Sequence, residues 1–99
     1  MAKYRLSNTA KEDLIRIHHY GVKRFGMTQA DKYFESFFNY FDIITQRPYS
    51  FESVNYIKRG YRRCPCGTDS IYYKINEKEN IIEIMTIIGK QDTKNAFDK

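Results

Sequence analysis

Apolar residues recur at helical spacing in the first quarter of the chain. The stripe consists of Ala10, Leu14, Ile17 and Gly21, widened by Ile15 and Val22. Steps of three and four residues keep these side chains on one face of a helix. Ser7, Asn8 and Thr9 each offer a helix cap, and residues 9–12 (TAKE) fit the capping-box pattern at the helix start. Gly26 is a natural C-terminal stop, so we expect the helix to end near Arg24.

A second helix is predicted between Thr28 and Pro48. Its apolar stripe is rich in phenylalanine and comprises Ala30, Phe34, Phe37, Phe38, Phe41 and Ile44. This spacing is typical of a face buried in a core. Proline lacks a backbone N–H and cannot continue a helix, so Pro48 marks its end.

The pattern after residue 48 changes to short apolar runs separated by turns. Residues 49–55 are predicted to form a loop. The predicted strands are residues 56–64, with a bulge at Gly60, residues 70–76 and residues 81–88, in addition to residues 3–6 at the N-terminus. The turns between them are residues 65–68 and 77–80. The run IIEIMTII is almost continuously apolar, as in a central strand buried on both faces.

This order of elements predicts an α+β fold. An N-terminal strand and a two-helix hairpin precede a three-strand C-terminal meander, and the hairpin packs on a twisted antiparallel sheet. The chain of 99 residues has room for one core, so we expect a single domain over residues 1–99.

The charge balance points to an acidic partner. There are 17 Lys and Arg against 12 Asp and Glu, a net charge of +5. Nucleic acid, an anionic membrane surface or an acidic protein segment would each fit. No stretch approaches the ~20 apolar residues of a membrane span, and the N-terminus does not resemble a signal peptide. We therefore expect a cytoplasmic protein that does not bind membranes.

The two cysteines do not indicate a metal site. Cys64 and Cys66 are two residues apart and would face the same side of a strand. Two ligands alone do not make a zinc site, and His18 and His19 lie in the first predicted helix. We expect free thiols, with no metal and no cofactor.

Residues 58–63 (KRGYRR) place four cations within six positions. On an alternating strand, Arg62 and Arg63 point to opposite faces. Lys74 and Lys90 are candidates to extend the basic surface, and Tyr61, Tyr72 and Tyr73 add aromatic rings. This composition fits a protein-binding hot spot, single-stranded RNA, or a strand edge guarded by charge.

Nothing in the spacing predicts an active site. No Ser-His-Asp or Cys-His arrangement and no phosphate-binding glycine loop is present. A metal-free nuclease remains open, because arginine and lysine alone can stabilise charge on a phosphate.

Four segments together resemble a known family. They are AKEDLIRI (residues 10–17), GYRRCPCG (60–67), SIYYKI (70–75) and IEIMTIIG (82–89). In order and spacing they resemble the ParE toxins of type II toxin–antitoxin modules, within the wider ParE/RelE superfamily. The resemblance implies a helix hairpin on a twisted antiparallel sheet and a partly disordered ParD-like antitoxin. For the ParE branch it implies poisoning of DNA gyrase, and for the RelE branch mRNA cleavage in the ribosome.

The resemblance favours binding over cleavage. RelE-type ribonucleases would carry arginine at Gln91, tyrosine at Phe97 and arginine near Asp69 and Ser70. Arg62 keeps a basic residue where those ribonucleases have lysine. Without the other groups, the transition-state charge lacks its cationic clamp. Many ParE toxins have a histidine near Gly89 followed by a Met-Asp pair, of which this chain keeps only the aspartate.

The resulting hypothesis is a toxin that inhibits DNA gyrase by binding, without catalytic or metal-binding residues and without direct nucleic-acid specificity. The predicted target-binding residues are Arg62, Arg63, Lys90, Gln91 and Phe97. The predicted antitoxin-binding residues are Tyr61, Tyr72 and Ile82, because we expect an acidic and apolar antitoxin to cover exposed Tyr and Ile side chains on the sheet and the helix hairpin. The alternatives are a RelE-like ribosome-dependent mRNA endonuclease and a non-toxic antitoxin-binding module.

Overall fold

The computed structural model describes residues 3–89. The elements, in chain order, are β1 (Lys3–Leu6), α1 (Asn8–Phe25), α2 (Met27–Gln46), β2 (Glu52–Ser53), β3 (Tyr61–Cys66), β4 (Asp69–Asn76) and β5 (Ile81–Gly89). The strands form one sheet in the order β1-β5-β4-β3-β2. The predicted α+β fold, with a helix hairpin before a three-strand meander, is confirmed. Neither described helix is long and apolar enough to cross a membrane.

The sheet is mixed, whereas the sequence predicted an antiparallel one. β1 runs parallel to β5, with Lys3 opposite Ile81 and Leu6 opposite Ile84. All other strand pairs are antiparallel. Both helices and three strands separate β1 from β5 in the chain. Local hydropathy therefore carries no information about their relative direction.

The strand bounds differ most around β3. Its predicted start at Tyr56 is wrong, because residues 55–60 form turns and the strand begins at Tyr61. Pro65 lies within the strand, and the turn to β4 is made at Gly67, whose φ is +61°. β2 pairs only two residues with β3, where the sequence predicted a loop. A strand of two residues leaves no hydropathy pattern to detect.

Helix α1 uses the first of its three candidate caps. Ser7 is the N-cap, and its Oγ accepts a hydrogen bond from the Ala10 backbone N–H at 3.0 Å. The same hydroxyl donates to the Met85 carbonyl at 2.7 Å, and the Ser7 N–H donates to the Ile84 carbonyl. Ser7 therefore both caps α1 and binds the edge of β5, and the bonds to β5 favour Ser7 over Thr9 as the N-cap.

The apolar stripe of α2 packs on the sheet as predicted. The helix-side core contains Ala10, Leu14, Ile17, Phe37, Phe41, Ile44, Cys64, Cys66, Ile71, Tyr73, Ile82, Ile84 and Ile87. Both cysteines are buried free thiols on this one side of β3, as predicted. Burial raises the pKa of the Cys64 thiol to about 12, so this side chain is neutral at physiological pH.

Tyr33 of α2 attaches the β3–β4 turn to the helix layer. Its hydroxyl lies 2.7 Å from Asp69 Oδ2 and 2.9 Å from the Cys66 carbonyl oxygen. A Cβ atom at Gly67 would lie only 2.6 Å from the Tyr33 ring. The left-handed φ and this contact both require glycine at the turn.

Asp13 and Arg16 complete the edge of β5 beyond the end of β1. Asp13 Oδ2 accepts hydrogen bonds from the Thr86 hydroxyl at 2.6 Å and from the Ile87 backbone N–H at 2.9 Å. Arg16 donates to the Ile87 carbonyl at 3.3 Å. Side chains of α1 therefore satisfy the backbone groups that a longer β1 would have paired.

Replacing Asp13 with alanine is expected to lower the free energy of unfolding by about 1–3 kcal/mol, because the part-buried Ile87 N–H loses its acceptor. Urea unfolding at neutral pH measures this. D13N keeps one acceptor oxygen and should cost less. Glu12→Ala, at the exposed neighbouring position, is the matched control. A midpoint for D13A equal to that of the wild type would contradict this role for Asp13.

Candidate functional site

The two arginines of the basic segment lie on opposite faces of the sheet. Arg62 shares the helix side of β3 with Cys64, and Arg63 shares the other side with Tyr61. The alternation of β3 therefore separates the two cations, as the sequence predicted. Any single surface contains at most one of them.

Arg62 holds the segment that follows α2. Its Nη1 donates to the Phe51 carbonyl at 2.7 Å, and its guanidinium lies 5.2 Å from the centroid of the Tyr49 ring. Beside it, the Tyr73 hydroxyl donates to the Pro48 carbonyl at 2.6 Å. One N–H donor and one face of the Arg62 guanidinium are thus engaged within the chain.

Arg63 is bound across the edge of the sheet. Its guanidinium forms an ion pair with the Glu52 carboxylate on β2, directly opposite in register. Tyr72 on β4 is a further hydrogen-bonding neighbour. Among the described residues, the buried Nε of Arg63 has no hydrogen-bond partner. The pairing with Glu52 neutralises most of the charge that Arg63 would present to a partner.

A charged row crosses the face of the sheet opposite the helices. Arg5, Glu83, Lys74 and Tyr61 are successive neighbours across β1, β5, β4 and β3. Arg5 Nη2 lies 2.5 Å from one Glu83 oxygen, and Lys74 Nζ lies 3.6 Å from the other. Lys74 was a candidate to extend a basic surface. Because the Glu83 carboxylate neutralises the Lys74 ammonium, Lys74 adds little positive charge to this face.

The three predicted antitoxin contacts are buried. Ile82 lies in the core beneath the helices, and Tyr61 and Tyr72 form a second cluster with Val54 and Ile88. The expectation that these side chains are exposed is wrong. Val54 and Ile57 pack against the two tyrosines. The sequence pattern gave no indication of this packing, because it assigned Val54 to a loop and Ile57 to a strand. Their involvement in antitoxin binding stays a prediction.

Three of the predicted target-binding residues, Lys90, Gln91 and Phe97, lie outside the described residues. Their roles stay predictions.

The structure has two exposed surfaces that the sequence pattern did not predict. One is the β2–β3 loop (residues 54–60), in which Tyr56 is 76% exposed. The other is a groove of about 730 Å³ between the end of the helix hairpin and the β3–β4 turn, lined in part by Tyr20, Phe25 and Tyr33. Sequence periodicity assigned Tyr56 to a strand and gave no signal for the groove, which depends on tertiary packing.

The described residues contain no group of three or more His, Cys, Asp or Glu side chains that could hold a metal ion. His18 lies 2.8 Å from Asp31 of α2 and against the Phe34 ring, which places it in the helix hairpin.

Arg62→Ala is expected to destabilise the fold by about 1–3 kcal/mol, because the Phe51 carbonyl loses a charged donor and the Tyr49 ring loses its stacking partner. Arg59→Ala, which removes an exposed arginine three residues earlier, should change stability by no more than about 0.5 kcal/mol. Thermal or urea unfolding of both variants compares them. Equal stabilities would refute a structural role for Arg62.

The pH dependence of stability is expected to change in Glu83→Gln. The hydrogen bond from Arg5 holds the pKa of Glu83 below its ordinary value of 4.5. Glu83 therefore stabilises the folded state above that pH, and the contribution is lost as the pH falls through the lowered folded-state pKa. The difference in unfolding free energy between wild type and Glu83→Gln should shrink between pH 7 and pH 3.

Low-salt urea titrations at several pH values test this, since salt screens an exposed pair. In an Arg5→Ala background, most of the pH-dependent part of the difference should disappear. A difference that stays constant with pH in the wild-type background would contradict the assignment.

Comparison with known proteins identifies relatives of this architecture. The family model described as "ParE toxin of type II toxin-antitoxin system, parDE" matches residues 4–93. Toxin ParE1 of Caulobacter vibrioides is 32% identical over 85 residues, covering 86% of this chain and 88% of that protein. A solved structure titled "Chromosomal ParDE TA system from P. aeruginosa" has the same fold, with a TM-score of 0.78 at 18% identity over 90% of this chain and 96% of the other. The chain belongs to the ParE toxin family of type II toxin–antitoxin systems.

Proposed function

We propose that this ParE-family toxin inhibits DNA gyrase by binding it, without catalysis, and that a cognate ParD-like antitoxin neutralises it. Membership of the ParE family carries the proposal. The toxin would act in the cytoplasm, where gyrase works, as a single toxin domain without direct nucleic-acid specificity.

The surroundings of Asp69 support binding over RNA cleavage. RelE-type ribonucleases would place an arginine near this position, where it would stabilise charge on the scissile phosphate. Here an acidic residue stands there, and the Tyr33 hydroxyl lies 2.7 Å from its Oδ2. A carboxylate at this point repels a phosphate instead of attracting it.

The contacts of Arg62 within the chain also support binding over RNA cleavage. It is the basic residue that this chain keeps where the ribonucleases have lysine, and it stacks on Tyr49 while donating to the Phe51 carbonyl. A cation that stabilises a transition state must be aimed at the developing charge. Contacts within the chain aim this guanidinium elsewhere.

The antitoxin is proposed to cover apolar surface on the helix hairpin. Ile15, Tyr20 and Phe25 of α1 are all more than half exposed. A segment that folds on binding gains most of its affinity by burying such side chains. With a net charge of +5 on the toxin, an acidic antitoxin segment would also associate faster through long-range attraction.

A supercoiling assay with purified gyrase tests the proposed target. We expect the wild-type toxin to inhibit supercoiling in a dose-dependent way and the antitoxin to restore it. In parallel, a translating extract should show no codon-positioned mRNA cleavage. Full supercoiling at a large excess of folded toxin would refute gyrase inhibition. Ribosome-dependent cleavage that Arg62→Ala abolishes, in a variant verified to be folded, would instead establish the endonuclease alternative.

Induced expression in a cell that lacks the antitoxin separates both from a non-toxic binding module. Arrested division is expected, and normal growth at a verified level of soluble toxin would favour the non-toxic alternative.

A further inference from the structure

We propose that the β2–β3 loop (residues 54–60) is the element with which this toxin grips its protein target. Tyr56 and Arg59 would enter a surface on which a carboxylate lies beside an apolar depression. The inference rests on the proposed function and adds to it a contact element and the chemistry of the surface that receives it.

The loop is closed by its own hydrogen bonds. The Val54 carbonyl accepts from the backbone N–H groups of Ile57 and Lys58 at 2.8 and 3.0 Å. The Asn55 side-chain oxygen accepts a hydrogen bond from the Gly60 N–H at 2.8 Å. Gly60 has a φ of +82°. Because these bonds fix the backbone, binding would cost less conformational entropy than ordering a flexible loop.

The base of the loop is fixed to the sheet. Val54 is fully buried in the cluster with Tyr61, Tyr72 and Ile88, and Ile57 packs against the same cluster. The Val54 N–H donates to the Tyr61 carbonyl at 2.8 Å. The loop therefore keeps a fixed orientation relative to the rest of the toxin.

The tip presents an aromatic ring and a cation that have no partners among residues 3–89. Tyr56 is 76% exposed, the highest value among the exposed large apolar side chains of the described residues. Arg59 is exposed, and no hydrogen bond or ion pair to it occurs within the described part of the chain. Tyrosine and arginine are two of the residue types most enriched in hot spots of protein interfaces.

The chemistry of the loop favours a protein over nucleic acid. Phosphates are commonly bound by free backbone N–H groups. Here four of the seven backbone N–H groups of residues 55–61, those of Ile57, Lys58, Gly60 and Tyr61, donate within the loop or to its ends. The Lys58 ammonium lies 5.6 Å from the centroid of the Tyr61 ring and so is turned towards its own chain. One exposed arginine and one exposed ring in the same short loop suit a carboxylate next to an apolar depression better than they suit a phosphate backbone.

Binding of the full-length toxin to immobilised gyrase, without DNA, tests the loop. Tyr56→Ala and Arg59→Glu are each expected to raise the Kd at least about tenfold, as hot-spot residues do. Tyr56→Phe keeps the ring and should bind nearly as well as the wild type. Thermal unfolding of each variant checks the fold, which should be unchanged because both side chains are exposed.

Two control variants separate position from charge and from the loss of an exposed apolar side chain. Arg24→Glu changes the net charge as Arg59→Glu does, at an exposed position on α1, and Ile43→Ala shortens an apolar side chain of α2 that is 41% exposed. Neither should weaken gyrase binding more than about threefold, in the range that steering by net charge alone allows. Equal losses in these controls would overturn the inference.

The remaining outcomes are also decisive. Wild-type binding that Tyr56→Ala and Arg59→Glu both leave intact would overturn the loop inference and leave the proposed function standing. No binding by the folded wild type would overturn both. Duplex DNA alone serves as a further probe. If the two substitutions abolish binding to DNA while binding to gyrase is unchanged, the loop is a nucleic-acid contact and the protein assignment is wrong.

Discussion

The structure depends on satisfying both edges of β5. This strand pairs with β4 on one side and with β1 on the other, but β1 ends opposite Ile84. A buried backbone group without a partner costs about as much as a lost hydrogen bond. The chain meets this requirement with Ser7, Asp13 and Arg16, which bind the next residues of β5. The position of α1 against the sheet follows from these bonds, and α2 is placed in turn by packing on α1 and the core.

Those parts of the fold with a strong hydropathy pattern were predictable from the sequence. The phenylalanine stripe of α2 was located correctly because a buried helix face imposes its period on the chain, and β5 because a central strand carries a nearly continuous apolar run. The shared orientation of Cys64 and Cys66 followed from strand alternation alone. Features that depend on distant parts of the chain were not predictable. The parallel direction of β1 and the two-residue β2 are each set by a partner elsewhere in the chain, as is the choice of Ser7 among the three candidate caps.

The candidate site also combines predictable and unpredictable features. Strand alternation correctly predicted that Arg62 and Arg63 lie on opposite faces of the sheet. It did not predict which residues they contact there. Glu52 is 11 residues from Arg63 and sits on a strand too short to predict. Glu83 lies opposite both Arg5 and Lys74 only because the mixed sheet brings three strands together. Val54 covers Tyr61 and Tyr72, and this contact depends on the path of the β2–β3 loop, for which the sequence pattern carries no signal.

The net charge of the chain is +5, but these pairings determine which of its cations are available to a partner. A count along residues 58–63 suggests a basic sheet face. In the folded chain, Arg62 is bound to the segment after α2, Arg63 to Glu52, and Lys58 faces the Tyr61 ring. A cation already paired within the chain gives little net energy when a partner replaces its contacts, since one favourable interaction is exchanged for another. Of the four cations, Arg59 is the one for which the described residues provide no such contact. The proposed recognition element therefore shifts from the sheet face to the loop at its edge, where the closed backbone carries Arg59 and the exposed Tyr56.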